Sequence, residues 1–278
     1  MIENAPIYGR QSKSEDVHDF KKRKMALKEL GYPTKETKLF VKEYLEKVKD
    51  RFAPHLSKDS LLITVPSGSG KNLVTAYLAQ ALAKEYNCKL LPAGSIAKLH
   101  TLEAKHALGL EKRICDPISY TVNGEDVKKH IANGTKIFIV DDVIGTGESS
   151  VRLKMALNKE NIPVTGLVSL ITVEPRYPTP NDLKRLMDKI ASHVPFKTKS
   201  KKEAFIKDTI AVFYRYTRQR VNRIERVIGS QKAAEKAFET ITRAARFERT
   251  NIIPPLKKKI STAILQNLNI NPSYQFGI

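Results

Sequence analysis

The run Lys136-Ile-Phe-Ile-Val-Asp141 constrains this chain more than any other segment. Four consecutive apolar residues, mostly β-branched, sit between a charge on one side and acids on the other. They have the length of a strand and show no alternation, so both of its faces must be covered. A strand buried on both faces belongs to a parallel sheet with helices above and below it. The neighbouring segments agree. Leu61-Leu-Ile-Thr-Val65 reads as a strand, and the Ala- and Leu-rich stretch from Asn72 to Tyr86 as a helix. Lys89-Leu-Leu-Pro92 and Ile118–Val122 read as short strands, 125–132 as one or two helical turns, Ser150–Glu160 as a helix and Val164–Val173 as a strand. Strand and helix in turn imply an α/β fold.

The segment after the central strand carries the chemistry. Asp141 and Asp142 stand at the strand's carboxyl end, and Gly145-Thr146-Gly147-Glu148-Ser149 then leads into a helix. Ligands of open α/β sheets bind beyond the carboxyl ends of strands. Backbone N–H groups at a helix start, next to residues small enough to let a ligand approach, suit a phosphate. Two carboxylates cannot hold a phosphate themselves. They suit hydroxyls, such as a ribose 2′- and 3′-OH, or a divalent cation. Acids and a phosphate cradle one turn apart point to a sugar phosphate.

This pattern of four apolar residues, two acids, two apolar residues and a small–Thr–Gly–x–Ser loop resembles the signature of the type I phosphoribosyltransferases. The resemblance covers about residues 55–175 and implies a parallel-sheet type I phosphoribosyltransferase core. It further implies that Asp141 and Asp142 are catalytic residues holding the ribose hydroxyls of phosphoribosyl pyrophosphate (PRPP), and that Gly145, Thr146, Gly147, Glu148 and Ser149 hold its 5′-phosphate. Mg²⁺ is the implied cofactor, with no separate protein metal site, and the implied reaction transfers the phosphoribosyl group to a nitrogen acceptor with release of pyrophosphate. Hypoxanthine–guanine members carry an acid where this chain has Gly145, which argues against that purine substrate.

Ser67-Gly68-Ser69-Gly70-Lys71 comes after the first core strand, where the family places its pyrophosphate loop. A nucleotide P-loop is the rival, but Val65 replaces its first glycine and Asn72 its Mg²⁺-binding hydroxyl. The polar stretch from Ser95 to Gly109 fits the family's mobile loop, with Lys98, Lys105, His106 and Arg113 as candidate cations for the pyrophosphate.

The chain has 278 residues, of which 41% are hydrophobic, enough for a core. No apolar run approaches the ~20 residues of a membrane span. No secretory signal is evident, and the two cysteines make no disulfide framework, so a cytoplasmic protein is expected. Charge is the unusual feature. The net value is +20, and residues 171–278 alone carry 22 basic and 9 acidic side chains. We therefore divide the chain into a helical N-terminal segment (1–54), the core (55–175) and a basic helical C-terminal domain (176–278), with Pro178 and Pro180 in a linker. Ile206 to Ile228 is expected to form one long helix. Arg215, Arg218, Arg220, Arg223 and Arg226 along that helix are candidates for nucleic-acid phosphates. An acidic protein partner or a homo-oligomer would use the same charge. The alternative function is thus a regulator, or a phage-defence effector of the retron type, that binds nucleic acid through these helices.

Overall fold

The computed structural model describes residues 5–11, 14–66, 73–98, 118–145, 147–173, 178–213 and 218–251. The described residues fall into two compact units, 5–98 with 118–173, and 178–251.

In chain order the first unit contains β1 (Ile7–Gln11), α1 (Ser14–Glu29), α2 (Thr34–Glu46), α3 (Lys49–Phe52), β2 (Ser60–Thr64), α4 (Leu73–Tyr86), β3 (Lys89–Leu90), β4 (Ile96–Lys98), β5 (Tyr120–Val122), α5 (Gly124–Lys128), β6 (Lys136–Ile144), α6 (Glu148–Lys159) and β7 (Gly166–Thr172). Five strands form a parallel sheet in the order β1-β7-β6-β2-β3, while β4 and β5 pair antiparallel as a separate ribbon. The α/β expectation holds, and β6 lies at the centre of the sheet.

Alternation along β6 sorts the core into two layers. Phe138 and Val140 join Leu62 with α1, α2 and α4 on one face; Ile137 and Ile139 join Leu61, Ile63, Leu153 and Leu157 under α6 on the other. In α2 the buried residues Thr37, Phe40, Val41, Tyr44 and Leu45 repeat at helical spacing. The break between α1 and α2 is made by Gly31 and Tyr32, both with positive φ.

Several boundaries differ from the sequence reading. The first described element is a strand, β1, which the charged surroundings of Ile7-Tyr8 concealed. Through β1 and through Phe20, Phe40, Tyr44 and Phe52, the described part of the expected N-terminal segment shares one sheet and one core with the rest of this unit. Strand β6 runs on to Ile144, so the two acids lie within it rather than at its last residue. Ile96–Lys98, expected within a long polar loop, is a strand paired with β5.

The second unit contains α7 (Pro180–Ala191), α8 (Lys199–Phe213), α9 (Arg218–Val227) and α10 (Gln231–Asn251) around its own core of Leu186, Ile190, Phe205, Phe213, Val221 and Ile241. Pro180 opens α7 instead of lying in a linker. The Thr179 hydroxyl accepts from the Asp182 amide (3.2 Å), and the Asp182 carboxylate accepts from the Thr179 amide (2.8 Å). This capping box satisfies donors that a helix start leaves unpaired, and proline at the first position costs no hydrogen bond. Of the expected long helix, α8 and α9 are described, and the residues that join them (214–217) lie outside the described residues.

Gly9 marks the tightest contact of β1 with β7. A Cβ there would stand 2.3 Å from Thr172 Oγ1 and 2.7 Å from the Ser169 carbonyl oxygen, beside an irregularity in the strand register. Gly9→Ala is expected to lower stability by about 1–3 kcal/mol, read as a reduced urea midpoint with an unchanged slope.

Candidate functional site

The site is set by a divergence at the centre of the sheet. Strands β2 and β6 are neighbours, but the helices that come after them cover opposite faces: α4 packs in the layer with Phe138, and α6 in the layer with Ile137. Connections leaving adjacent carboxyl ends in opposite directions cannot fill the space between them. This is the topological switch point at which open α/β sheets bind ligands. Thr64 pairs with Val140 and the Val65 amide donates to the Val140 carbonyl (3.0 Å), so the chain leaves β2 level with Asp141. The expected pyrophosphate loop Ser67, Gly68, Ser69, Gly70 and Lys71 lies outside the described residues.

The two acids divide between the faces. Asp142 is 3% exposed on the α1–α4 side. Its Oδ2 is ion-paired with Lys24 Nζ of α1, and its Oδ1 accepts from the Thr75 hydroxyl of α4 at 3.2 Å. Burial pulls the Lys24 ammonium down, but Asp142 and, behind it, Asp141 outweigh this and leave its pKa raised. Asp141, half-buried, is turned toward α6. Its Oδ1 accepts from the Asp142 amide (3.0 Å) and its Oδ2 from the Ser150 hydroxyl (3.4 Å). Burial, then the neighbouring Asp142, pushes its carboxyl well above the ordinary carboxylate value of 3.8, against the pull of Lys24. Like charges this close disfavour joint ionisation, and Lys24 makes Asp142 the charged member of the pair.

The bend beyond the acids leads into a helix capped by glycine. Gly147 caps α6 in the left-handed conformation (φ 73°), with no side-chain cap and with its carbonyl accepting from the Val151 amide (2.9 Å). A glycine cap leaves the start of a twelve-residue helix with no side chain of its own in front of it. Gly145 is described and Thr146 is not; Glu148 and Ser150 are buried in the first turn, with Ser149 half-buried between them. Tyr120, from β5, brings its ring to the same corner. Burial and then Asp141 raise its pKa, and Ser149 lies close enough to oppose that rise.

Sequence reasoning thus located Asp141, Asp142 and the bend but missed Lys24, Thr75 and Tyr120. Lys24 belongs to the run Lys21-Lys-Arg-Lys24, which reads as a solvated helix face. Nothing in its spacing distinguishes it from its neighbours. A threonine in the otherwise apolar start of α4 was the available signal for Thr75.

Other expected site residues are placed differently. Lys98 is in β4, and Lys105, His106 and Arg113 lie outside the described residues. Arg218 is not a free cation for nucleic acid. Its Nε donates to the fully buried Asp182 Oδ1 (2.8 Å), which also accepts from Arg185 (2.9 Å). Arg226 is exposed on α9. Arg215 lies outside the described residues, and the side chains of Arg220 and Arg223 are not described.

Among the described residues, no three His, Cys, Asp or Glu side chains gather as a metal site, and no helix is long and apolar enough to cross a membrane. Comparison with protein-family models, with curated proteins and with solved structures finds no match.

The two acids should respond to substitution in opposite ways. Lys24→Met strands a buried carboxylate and is expected to cost about 2–4 kcal/mol, measured by chemical unfolding near neutral pH, with Asp142→Asn in the same chain restoring part of the loss. Asp141 carries the other sign. A carboxyl whose folded pKa lies above its unfolded one costs stability as pH rises from the unfolded value through the folded one. Asp141→Asn should therefore be more stable than the wild type at pH 8 by more than about 1 kcal/mol, the gain shrinking toward zero by about pH 4.

Proposed function

We propose that this chain binds PRPP and transfers its phosphoribosyl group to a nitrogen acceptor. The observation that carries this reading is the meeting, at the switch point of a parallel sheet, of two carboxylates and a helix start capped by a left-handed glycine. Asp141 on the floor accepts hydrogen bonds from pentose hydroxyls, with Asp142 behind it holding the strand end in place. The start of α6, with the Ser149 hydroxyl and the backbone dipoles of the helix, takes the 5′-phosphate. In the reaction the acceptor nitrogen forms a bond to C1 as the C1–O bond to pyrophosphate breaks. The leaving group takes that electron pair, and the acceptor then loses a proton.

The protein's own part is to orient and to balance charge. Asp141, whose oxygens are not held by a cation, faces the bend; Asp142, already neutralised by Lys24, fixes α1 and α4 against the same strand end. The donor set fits a metal that travels on its substrate. Mg²⁺ retains water and is bound largely by phosphate oxygens, and the acids offer oxygen donors without a dedicated cage. Bound there, Mg²⁺ would offset the charge of the departing pyrophosphate.

With both aspartates replaced (Asp141→Asn with Asp142→Asn), PRPP binding in the presence of Mg²⁺ should vanish by calorimetry while the far-ultraviolet spectrum keeps its α/β shape. Undiminished affinity in the folded double variant overturns the reading.

A second reading rests on the helical unit. Lys197, Lys199, Lys201 and Lys202 are exposed around the start of α8, whose first turn holds no acid, and none of the four is ion-paired with a described residue. Cations crowded at a helix start oppose its dipole, a cost that a polyanion relieves. On this reading the core is a PRPP-responsive module that acts with nucleic acid, as a regulator or a defence effector. Reversing Lys199, Lys201 and Lys202 to Glu should lower the salt concentration at which the protein leaves heparin or duplex DNA. An unchanged elution point removes the support these lysines lend.

A further inference from the structure

Tyr120 is 8% exposed, and its buried hydroxyl oxygen makes no hydrogen bond of ordinary geometry, although the Ser149 side chain lies near it. Folded proteins rarely leave a buried hydroxyl unpaired, so each case calls for a reason. A purely structural tyrosine at this position would be better replaced by phenylalanine, which fills the same space without the unmet donor.

The surroundings supply the reason. The hydroxyl sits by Asp141 in the second half of β6 and by Glu148 and Ser149 in the first turn of α6. It is therefore at the corner where the acid pair meets the glycine-capped helix start. Tyr120 comes from β5, outside the segment 137–149, and is held there by the pairing of β5 with β4 (Lys98 opposite Tyr120, Ala97 opposite Thr121). Burial and the acid beside it keep the phenol protonated, so the group is a donor across the working pH range. A donor with no well-formed hydrogen bond, close to the first turn of a helix whose start favours anions, is complementary to one ligand class: an oxyanion with several oxygens to share.

We infer that Tyr120 is a ligand-binding residue whose hydroxyl donates to an oxygen of a phosphate monoester seated at the start of α6. The inference deepens the PRPP reading, on which it rests for the pentose but not for the phosphate. No covalent step is involved; the phenol keeps its proton and shares it with the anion.

The test uses the full chain, wild type and Tyr120→Phe, with inorganic phosphate, ribose 5-phosphate and PRPP as probes in calorimetry, and unfolding of the ligand-free protein in parallel. The substitution should leave the ligand-free protein at least as stable as the wild type. It should also weaken every phosphate-bearing probe about tenfold or more, the worth of one hydrogen bond to a charged acceptor. Gain of stability with loss of affinity is a pattern that a merely structural tyrosine does not produce. Equal affinities in the two proteins overturn the inference, whatever the stability does. The arms separate it from the PRPP reading. If Asp141→Asn with Asp142→Asn abolishes PRPP binding but Tyr120→Phe does not weaken it, the reading stands and Tyr120 has no part in it. If phosphate and ribose 5-phosphate bind equally, both need the Tyr120 hydroxyl and neither responds to the acid pair, the phosphate site stands and the pentose reading falls. A wild-type protein that binds none of the three probes overturns both.

Discussion

A strand hydrogen-bonded along both edges and covered on both faces holds charged side chains at low cost only at its ends. Strand β6 is such a strand. It pairs with β2 and β7, and from Ile137 to Val140 every side chain is buried. Between exposed Lys136 at its start and the half-buried Asp141 beyond Val140 no residue of it is exposed, and Asp141 and Asp142 stand past Val140. The helices after β2 and β6 leave for opposite faces, and that end is therefore where a ligand can sit. The acids, the cap of α6 and the ring of Tyr120 are all placed by this one constraint.

Charge at that end is balanced by a residue remote in sequence. Two carboxylates on adjacent residues of a buried strand repel each other and are costly to desolvate. Pointing them to opposite faces separates them. Lys24, 118 residues earlier, neutralises one, and Thr75 completes its hydrogen bonding. The N-terminal helices therefore belong to the chemistry of the sheet as well as to its core. The pair is asymmetric as a result: one acid is committed to holding α1 and α4, while the other is turned to the helix start.

The helical unit solves a similar problem in the reverse sense. Its surplus is positive, and its buried Asp182 gathers Arg185 and Arg218 while capping α7. Arg218 of α9 there ties that helix to α7 through its bond to Asp182, whereas the lysines near the start of α8 are exposed. Counting basic residues along a helix does not separate these two uses, because each is decided by what the side chain meets.

How much of the fold and the site is legible in the sequence depends on the range of the forces involved. Unbroken apolar runs report burial on both faces, so the parallel sheet, its helices and the acid–glycine segment 137–149 could be read from local pattern. The short strand β1 and the place of Pro180 at the start of α7 were obscured by mixed or conflicting local signals. Sequence by itself determined which residues form the strand end and the bend. Only tertiary structure decided that Lys24 and Thr75 hold Asp142, that Tyr120 stands over the start of α6, and that Arg218 is spent on Asp182. Those partners are joined by ion pairs, hydrogen bonds and packing across 36 to 118 residues of chain in the bonded cases, and no periodicity along the backbone encodes a contact made through space.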